Sequence, residues 1–167
     1  MKKERSIDMK KLSDLCSTLL TIEIVMIVLL ALCTTVPRLV GYNEYTVISG
    51  SMAPTIPIGS LVLVKSEDAS QIEAGDVIAF QSHSSAVVTH RVVSKDDTAQ
   101  EFTTKGDANE SEDFEPIPYT NLLGKVVFSV PYLGNFLATI FSTTGKIIMG
   151  VIALVLLLAY KLFDKEK

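Results

Sequence analysis

The sequence predicts a mostly β domain of short antiparallel strands, anchored by an apolar helix at each end. Three observations predict it. Residues 15–37 are almost entirely apolar, with Glu23 the only charge, and residues 147–160 carry no charge between Lys146 and Lys161. Between these stretches, short runs rich in Val, Ile and Thr recur about every ten residues, separated by Gly, Pro and Asp turns. The charge divides along the same lines. Residues 41–145 hold five Lys/Arg against 13 Asp/Glu, whereas both flanks are mildly basic. An acidic middle repels phosphates and argues against nucleic acid as a partner. At 167 residues the chain has room for one domain of ordinary size.

A bilayer core takes roughly 20 apolar residues as helix. The first stretch meets that length, and it exceeds the ~7–15 apolar residues of a cleavable leader. It is read as a retained anchor over residues 15–40, after a polar cytoplasmic N-terminus, residues 1–14. The second stretch reaches the length when Lys146 and Lys161 extend toward the headgroups. A membrane-associated segment and second transmembrane helix are expected over residues 136–163, ahead of a short tail, residues 164–167. Lys2, Lys3, Arg5, Lys10 and Lys11 precede the first span, and Lys161, Lys165 and Lys167 follow the core of the second. Basic flanks stay in the cytoplasm, so both ends are expected inside and the β domain, residues 41–135, outside. An intramembrane carboxylate such as Glu23 is costly, and reads either as a functional or partner-pairing group or as a protonated one. Cys16 and Cys33 lie in or beside the first span, so the outer domain has no disulfide to rest on.

Within that domain, strands are expected over residues 45–48, 61–65, 77–81, 86–93, 101–105 and 122–130. Pro54 and Pro57 forbid a regular helix after the first of these. Residues 66–75 and the acidic stretch 106–118 read as loops, and residues 132–141 as an apolar segment at the membrane surface.

The chemistry-bearing residues fall in this domain. Ser51 stands on a Gly-flanked bend, and a serine hydroxyl is a weak nucleophile until a base accepts its proton. His90, mid-strand, is the natural base, since histidine ordinarily titrates at about 6.5. Asp107 and Asp113 are the candidates for the carboxylate that would fix the tautomer and stabilise the imidazolium, and spacing does not choose between them. Backbone N–H groups at Gly50 and Met52 are candidates for holding an oxyanion. Each of these residues alone is more often a turn former, a packed histidine or a solvated acid. Their combination in one domain beside a membrane carries the reading of a membrane-anchored serine protease. Lys65 and Lys105 would have to be neutral to serve as base, and Glu67, Asp68 and Asp107 beside them favour the charged form. His83 sits in a polar turn that would place a base poorly. No His, Cys or Asp grouping has metal-ligand spacing, and no cofactor is expected.

Five motifs in order resemble the type I signal peptidases, in the branch found in the endoplasmic reticulum, archaea and some sporulating Gram-positive bacteria. They are Ser49-Gly50-Ser51-Met52-Ala53-Pro54-Thr55, Gly75-Asp76-Val77-Ile78, Thr89-His90-Arg91-Val92, Thr104-Lys105-Gly106-Asp107-Ala108-Asn109 with Asp113, and Val130-Pro131-Tyr132-Leu133-Gly134. The resemblance implies the signal-peptidase β fold with an apolar face at the bilayer. It also implies an endopeptidase that removes signal peptides from secretory preproteins on the outer face of the plasma membrane, or of the endoplasmic reticulum in a eukaryote. Ser51 matches the nucleophile, and His90 stands where the main bacterial branch has a lysine. Asp107 and Asp113 match the two family aspartates. Shallow pockets for small residues are implied near Ser51. Ala53 and Ser60 depart from positions often acidic in the family, which bears on preference more than on chemistry. Two rival readings keep the fold: a related peptidase with one dedicated substrate, and a non-enzymatic anchored scaffold. The scaffold would not need Ser51, His90, Asp107 and Asp113 all retained.

Overall fold

The computed structural model describes residues 2–82 and 85–164. His83 lies outside them. The chain divides into two compact units, residues 1–34 with 139–167, and residues 35–138.

The first unit is helical. Helix α1 runs Lys2–Leu39 and helix α3 Thr143–Asp164. Both are long and apolar enough to cross a membrane, with mean hydropathies of 2.5 over Met9–Leu39 and 2.2 over Thr143–Asp164. Their large side chains, such as Ile24, Leu29, Val151 and Leu154, face outward, as lipid-facing side chains do. The polar stretch before the anchor, expected as a lead-in, is itself helical. Residues 2–14 contain no Gly or Pro to break the helix, so it propagates back from the apolar core. Pro37 lies in its last turns, and Gly41, at φ +87°, ends it. Glu23 lines an apolar cavity of about 290 Å³ with Ile27, Leu30, Ile140, Met149 and Lys146. Its Oε2 is buried without a hydrogen-bond partner among the described residues. Cys16 and Cys33 are both free thiols.

The second unit is an antiparallel sheet. Its strands are β1 Tyr42–Thr46, β2 Leu61–Lys65, β3 Val77–Gln81, β4 Val87–Asp96, β5 Glu101–Lys105, β6 Ile117–Pro118 and β7 Leu122–Val130. They lie in the order β1-β2-β7-β3-β4-β5-β6. Strands 61–65, 77–81, 101–105 and 122–130 form where the β-branched runs predict them. Strand β1 begins three residues earlier than expected and ends at Thr46, paired to β2 from Tyr42↔Lys65 to Thr46↔Leu61. An edge strand with one neighbour accommodates the polar Asn43 and Glu44, which propensity alone rejects. Strand β4 continues through Asp96, because pairing with β5 from Arg91↔Lys105 to Asp96↔Glu101 carries its polar end along. The acidic loop closes earlier than expected, with Ile117–Pro118 pairing onto β5. Residues 133–141 form helix α2.

Strand β3 has apolar side chains on both faces, so the sheet carries two cores. Ile78 and Phe80 join Ile72, Val92, Phe102 and Ile117 on one side. Ala79 joins Val62, Val64, Met52 and Ile56 on the other. Met52 and Ile56 come from the bend that carries Ser51, which is therefore pinned to the sheet by two side chains only 1% and 3% exposed. Burying two such side chains contributes about 1.5–3 kcal/mol each, ample to hold a short turn in one place. Gly59 closes this segment at φ +85°, a left-handed conformation that disfavours any residue with a Cβ, and its carbonyl accepts the Asn135 N–H of α2 at 3.1 Å.

Candidate active site

Ser51 is half-buried in a run of turns between β1 and β2. Gly50 O accepts the Ala53 N–H at 3.0 Å and Met52 O accepts the Ile56 N–H at 2.8 Å, which winds the chain tightly around it. The Ser51 and Met52 N–H groups donate to no backbone carbonyl among the described residues. The Met52 side chain belongs to the core. The Ser51 hydroxyl has the Ser49 hydroxyl 3.4 Å away.

His90 lies on β4 opposite Ile78, which puts its ring on the side of the larger core. Phe80 meets it edge-on, the ring centroids 6.2 Å apart. The imidazole is held at its other end by Asp113, whose Oδ2 lies 2.5 Å from His90 Nδ1. With the proton on Nδ1 bonded to the carboxylate, Nε2 is left as the acceptor, the tautomer a general base needs.

Asp107 goes elsewhere. Its two carboxylate oxygens take Arg91 Nε at 2.8 Å and Nη2 at 2.6 Å, a fork-to-fork pair. Arg91 Nη1 also donates to Gly75 O at 2.8 Å. The guanidinium holds the Asp107 carboxyl below the usual carboxylate range, against a smaller opposing effect of burial and with help from the Thr55 hydroxyl and the His90 ring. Of the two aspartates that spacing left open, then, Asp113 touches His90 and Asp107 touches its neighbour Arg91. Lys105, expected beside Asp107, instead donates to Glu110 O at 3.1 Å. Lys65 is exposed and bonded to Glu67 at 2.8 Å, and that bond raises its pKa, keeping it charged.

One loop joins these groups. The Ala108 N–H donates to Ser51 O at 2.8 Å, and five residues later Asp113 meets His90. Gly106 makes the close approach possible, since a Cβ there would come within 2.6 Å of Ser51 O. Three participants escape sequence reasoning: the Ala108 N–H, the Arg91 fork and the Thr104 hydroxyl, which donates to Asp113 Oδ2 at 2.6 Å. All three stand inside the quoted motifs, and Thr104 carried a further signal as a polar residue on the inward-facing phase of a strand.

A cleft of about 490 Å³ opens beside Ser51. Val47, Ile48, Ser49 and Ser51 contribute to its lining, as do Ala86, Val87, Val88 and Thr89. Residues 87–90 of β4 pair with β3 on one side, and pairing with β5 begins only at Arg91, so among the described residues the other edge of this stretch faces no strand.

Fold and site together describe a class: a chain with two apolar helices and an antiparallel β domain, in which one loop ties a serine turn to a carboxylate-held imidazole. The signature of the family described as signal peptidase, peptidase S26, matches residues 19–114, and the chain belongs to that family. It is 35% identical over 121 residues to Signal peptidase I W of Bacillus subtilis (strain 168), an alignment that covers 68% of this chain and 64% of that protein. The chain thus spans somewhat under two thirds of this relative's length.

Proposed function

We propose that this protein is a membrane-anchored serine endopeptidase that removes signal peptides from secretory preproteins, with Ser51 as nucleophile, His90 as general base and Asp113 as the carboxylate that orients it. The observation that carries the reading is the contact between Asp113 and His90 Nδ1, on a loop that also binds the backbone of Ser51. Family membership supports the reaction class, and the Bacillus relative's name supports the substrate.

The chemistry follows from these groups. His90 Nε2 takes the Ser51 proton as Oγ attacks the scissile carbonyl, and Asp113 stabilises the imidazolium that results. The Gly50 and Met52 N–H groups, with that of Ser51 between them, are the donors for the negative oxygen of the tetrahedral intermediate, an effect often amounting to several kcal/mol. His90 then returns the proton to the departing amine, leaving an acyl-serine that water hydrolyses by the same relay. Asp107 is assigned a structural part through Arg91. An extended substrate segment lies in the cleft and pairs with the strandless edge of residues 87–90, a strand-addition mode in which backbone bonds give affinity and side-chain pockets give selectivity. Val47, Val87 and Val88 give that cleft apolar walls for the side chains before the cut.

The proposed setting is the plasma membrane, or the endoplasmic reticulum in a eukaryote, with both chain ends cytoplasmic and residues 41–135 outside. Basic residues flanking the two apolar helices support that orientation. Partners are the preproteins and the bilayer.

The test is cleavage of a signal-bearing preprotein by the full chain in liposomes, comparing wild type, Ser51→Ala and His90→Ala and sequencing the new N-terminus. A cut after a small residue, abolished by both substitutions, is expected. Loss with Ser51→Ala but persistence with His90→Ala would move the base elsewhere. No cleavage by folded wild type would sink the reading.

A further inference from the structure

Thr104 is completely buried. It lies on β5, in register with Val92 of β4, and shares its inward phase with Phe102. Its hydroxyl donates to Asp113 Oδ2 at 2.6 Å, the same oxygen that meets His90 Nδ1. Its carbonyl accepts the Asp113 N–H at 2.8 Å. One residue therefore grips Asp113 by main chain and side chain together. Filling space beside Val92 and Phe102 calls only for an apolar side chain of this size, which valine supplies without a buried hydroxyl to satisfy. The hydroxyl at this position has its use in Asp113. The need for a grip is equally plain: Asp113 lies in a loop that runs on to β6 at Ile117, and Phe114 after it is 99% exposed. His90 and Thr104 both meet the Asp113 carboxylate, and of the two only Thr104 also holds the Asp113 main chain. Being β-branched, threonine is itself stiff at χ1, and its strand is hydrogen-bonded to the strand that bears His90.

We propose that Thr104 is a positioning residue for the hydrolytic reaction, its hydroxyl holding the Asp113 carboxylate in the one orientation that meets His90 Nδ1. The proposal rests on the reading of Ser51, His90 and Asp113 as the catalytic groups. Thr104 touches no reacting atom and acts through Asp113. A carboxylate free to rotate leaves the imidazole without a fixed tautomer, which slows the proton transfers while leaving the cleft for the substrate intact. The effect falls on kcat and not on KM.

The test measures kcat and KM of preprotein cleavage by the full chain in liposomes for Thr104→Val, Thr104→Ser and Asp113→Asn, with thermal unfolding of each. A misplacement of this kind costs about ten- to a hundredfold. Thr104→Val is expected to lose that much in kcat with KM within about twofold, and Thr104→Ser to recover most of it. Loss in Val with no recovery in Ser would mean that packing matters and the hydroxyl does not, overturning the proposal. Full activity in Thr104→Val together with a large loss in Asp113→Asn would overturn it while leaving Asp113 in its role. Full activity in Asp113→Asn would overturn both. If Thr104→Val does not fold, Thr104→Ser against Thr104→Ala decides: an active Ser variant with an impaired Ala variant supports the hydroxyl, and equal activities refute it.

Discussion

Asp107 and Asp113 belong to the same acidic loop, yet its two ends do different work. At one end Asp107 faces a guanidinium that is always charged, through a two-pronged bond. Toward the other Asp113 faces an imidazole, the base of the proposed reaction, through a single bond, with Thr104 sharing the same oxygen. A carboxylate locked to arginine stays ionised and makes a strut. A carboxylate set against histidine is poised to respond when a proton arrives. The lesson is that residue type and loop position do not define a role here. The partner on the neighbouring strand does, and Arg91 and His90 are adjacent on β4 with side chains on opposite faces of the sheet.

The largest expected effect breaks the catalytic end. Asp113→Asn should lower kcat by about 10³–10⁴-fold, the scale of losing the tautomer-fixing carboxylate in a serine–histidine system, measured on preprotein cleavage. If Asp113→Asn is near wild type while Asp107→Asn is inactive, the two ends have been assigned the wrong way round.

The strut end should give a smaller, structural loss. Asp107→Asn is expected to cost about 1 kcal/mol of stability, since the pair is bidentate but Arg91 is partly exposed, and about tenfold in activity through a looser Ser51 loop. Arg91→Lys keeps the charge and loses the fork, so it should fall between wild type and Asp107→Asn in thermal unfolding. Equal stability of all three would remove the strut.

A pH titration sharpens the contrast further. The folded Asp107 pKa is depressed by the Arg91 bond. Its contribution is therefore complete above the unfolded value of about 3.9 and is lost as pH falls through the folded one. Wild type should lose unfolding temperature below about pH 4, and Asp107→Asn should lack that part of the slope. Cleavage activity should fade at a higher pH than stability does, because imidazolium cannot accept the serine proton. Activity that stays flat down to about pH 4.5 would argue against His90 as the base. The smallest effect is expected at Lys65→Met. Its ammonium is exposed and tied to Glu67, so activity within about twofold of wild type is predicted, and a large loss would revive a lysine base.

What the sequence determined by itself is the part written in local pattern. Two apolar runs of spanning length, and alternating β-branched runs at Leu61–Lys65, Val77–Gln81, Glu101–Lys105 and Leu122–Val130, stand in the structure where periodicity puts them. Ser51 and His90 were visible too, one on a Gly-flanked bend and one mid-strand. Tertiary structure decided how those pieces meet. Asp113 reaches His90 across 23 positions and Asp107 reaches Arg91 across 16, and neither separation has a period that a one-dimensional pattern could reveal. The register of β4 against β5 puts Thr104 beside Val92, and the path of the loop after Gly106 carries Ala108 to Ser51 and Asp113 to His90. Burial and turn preference are properties of a short segment, so sequence expresses them. The partner of a hydrogen bond depends on how strands slide and loops close, and only the folded sheet sets that.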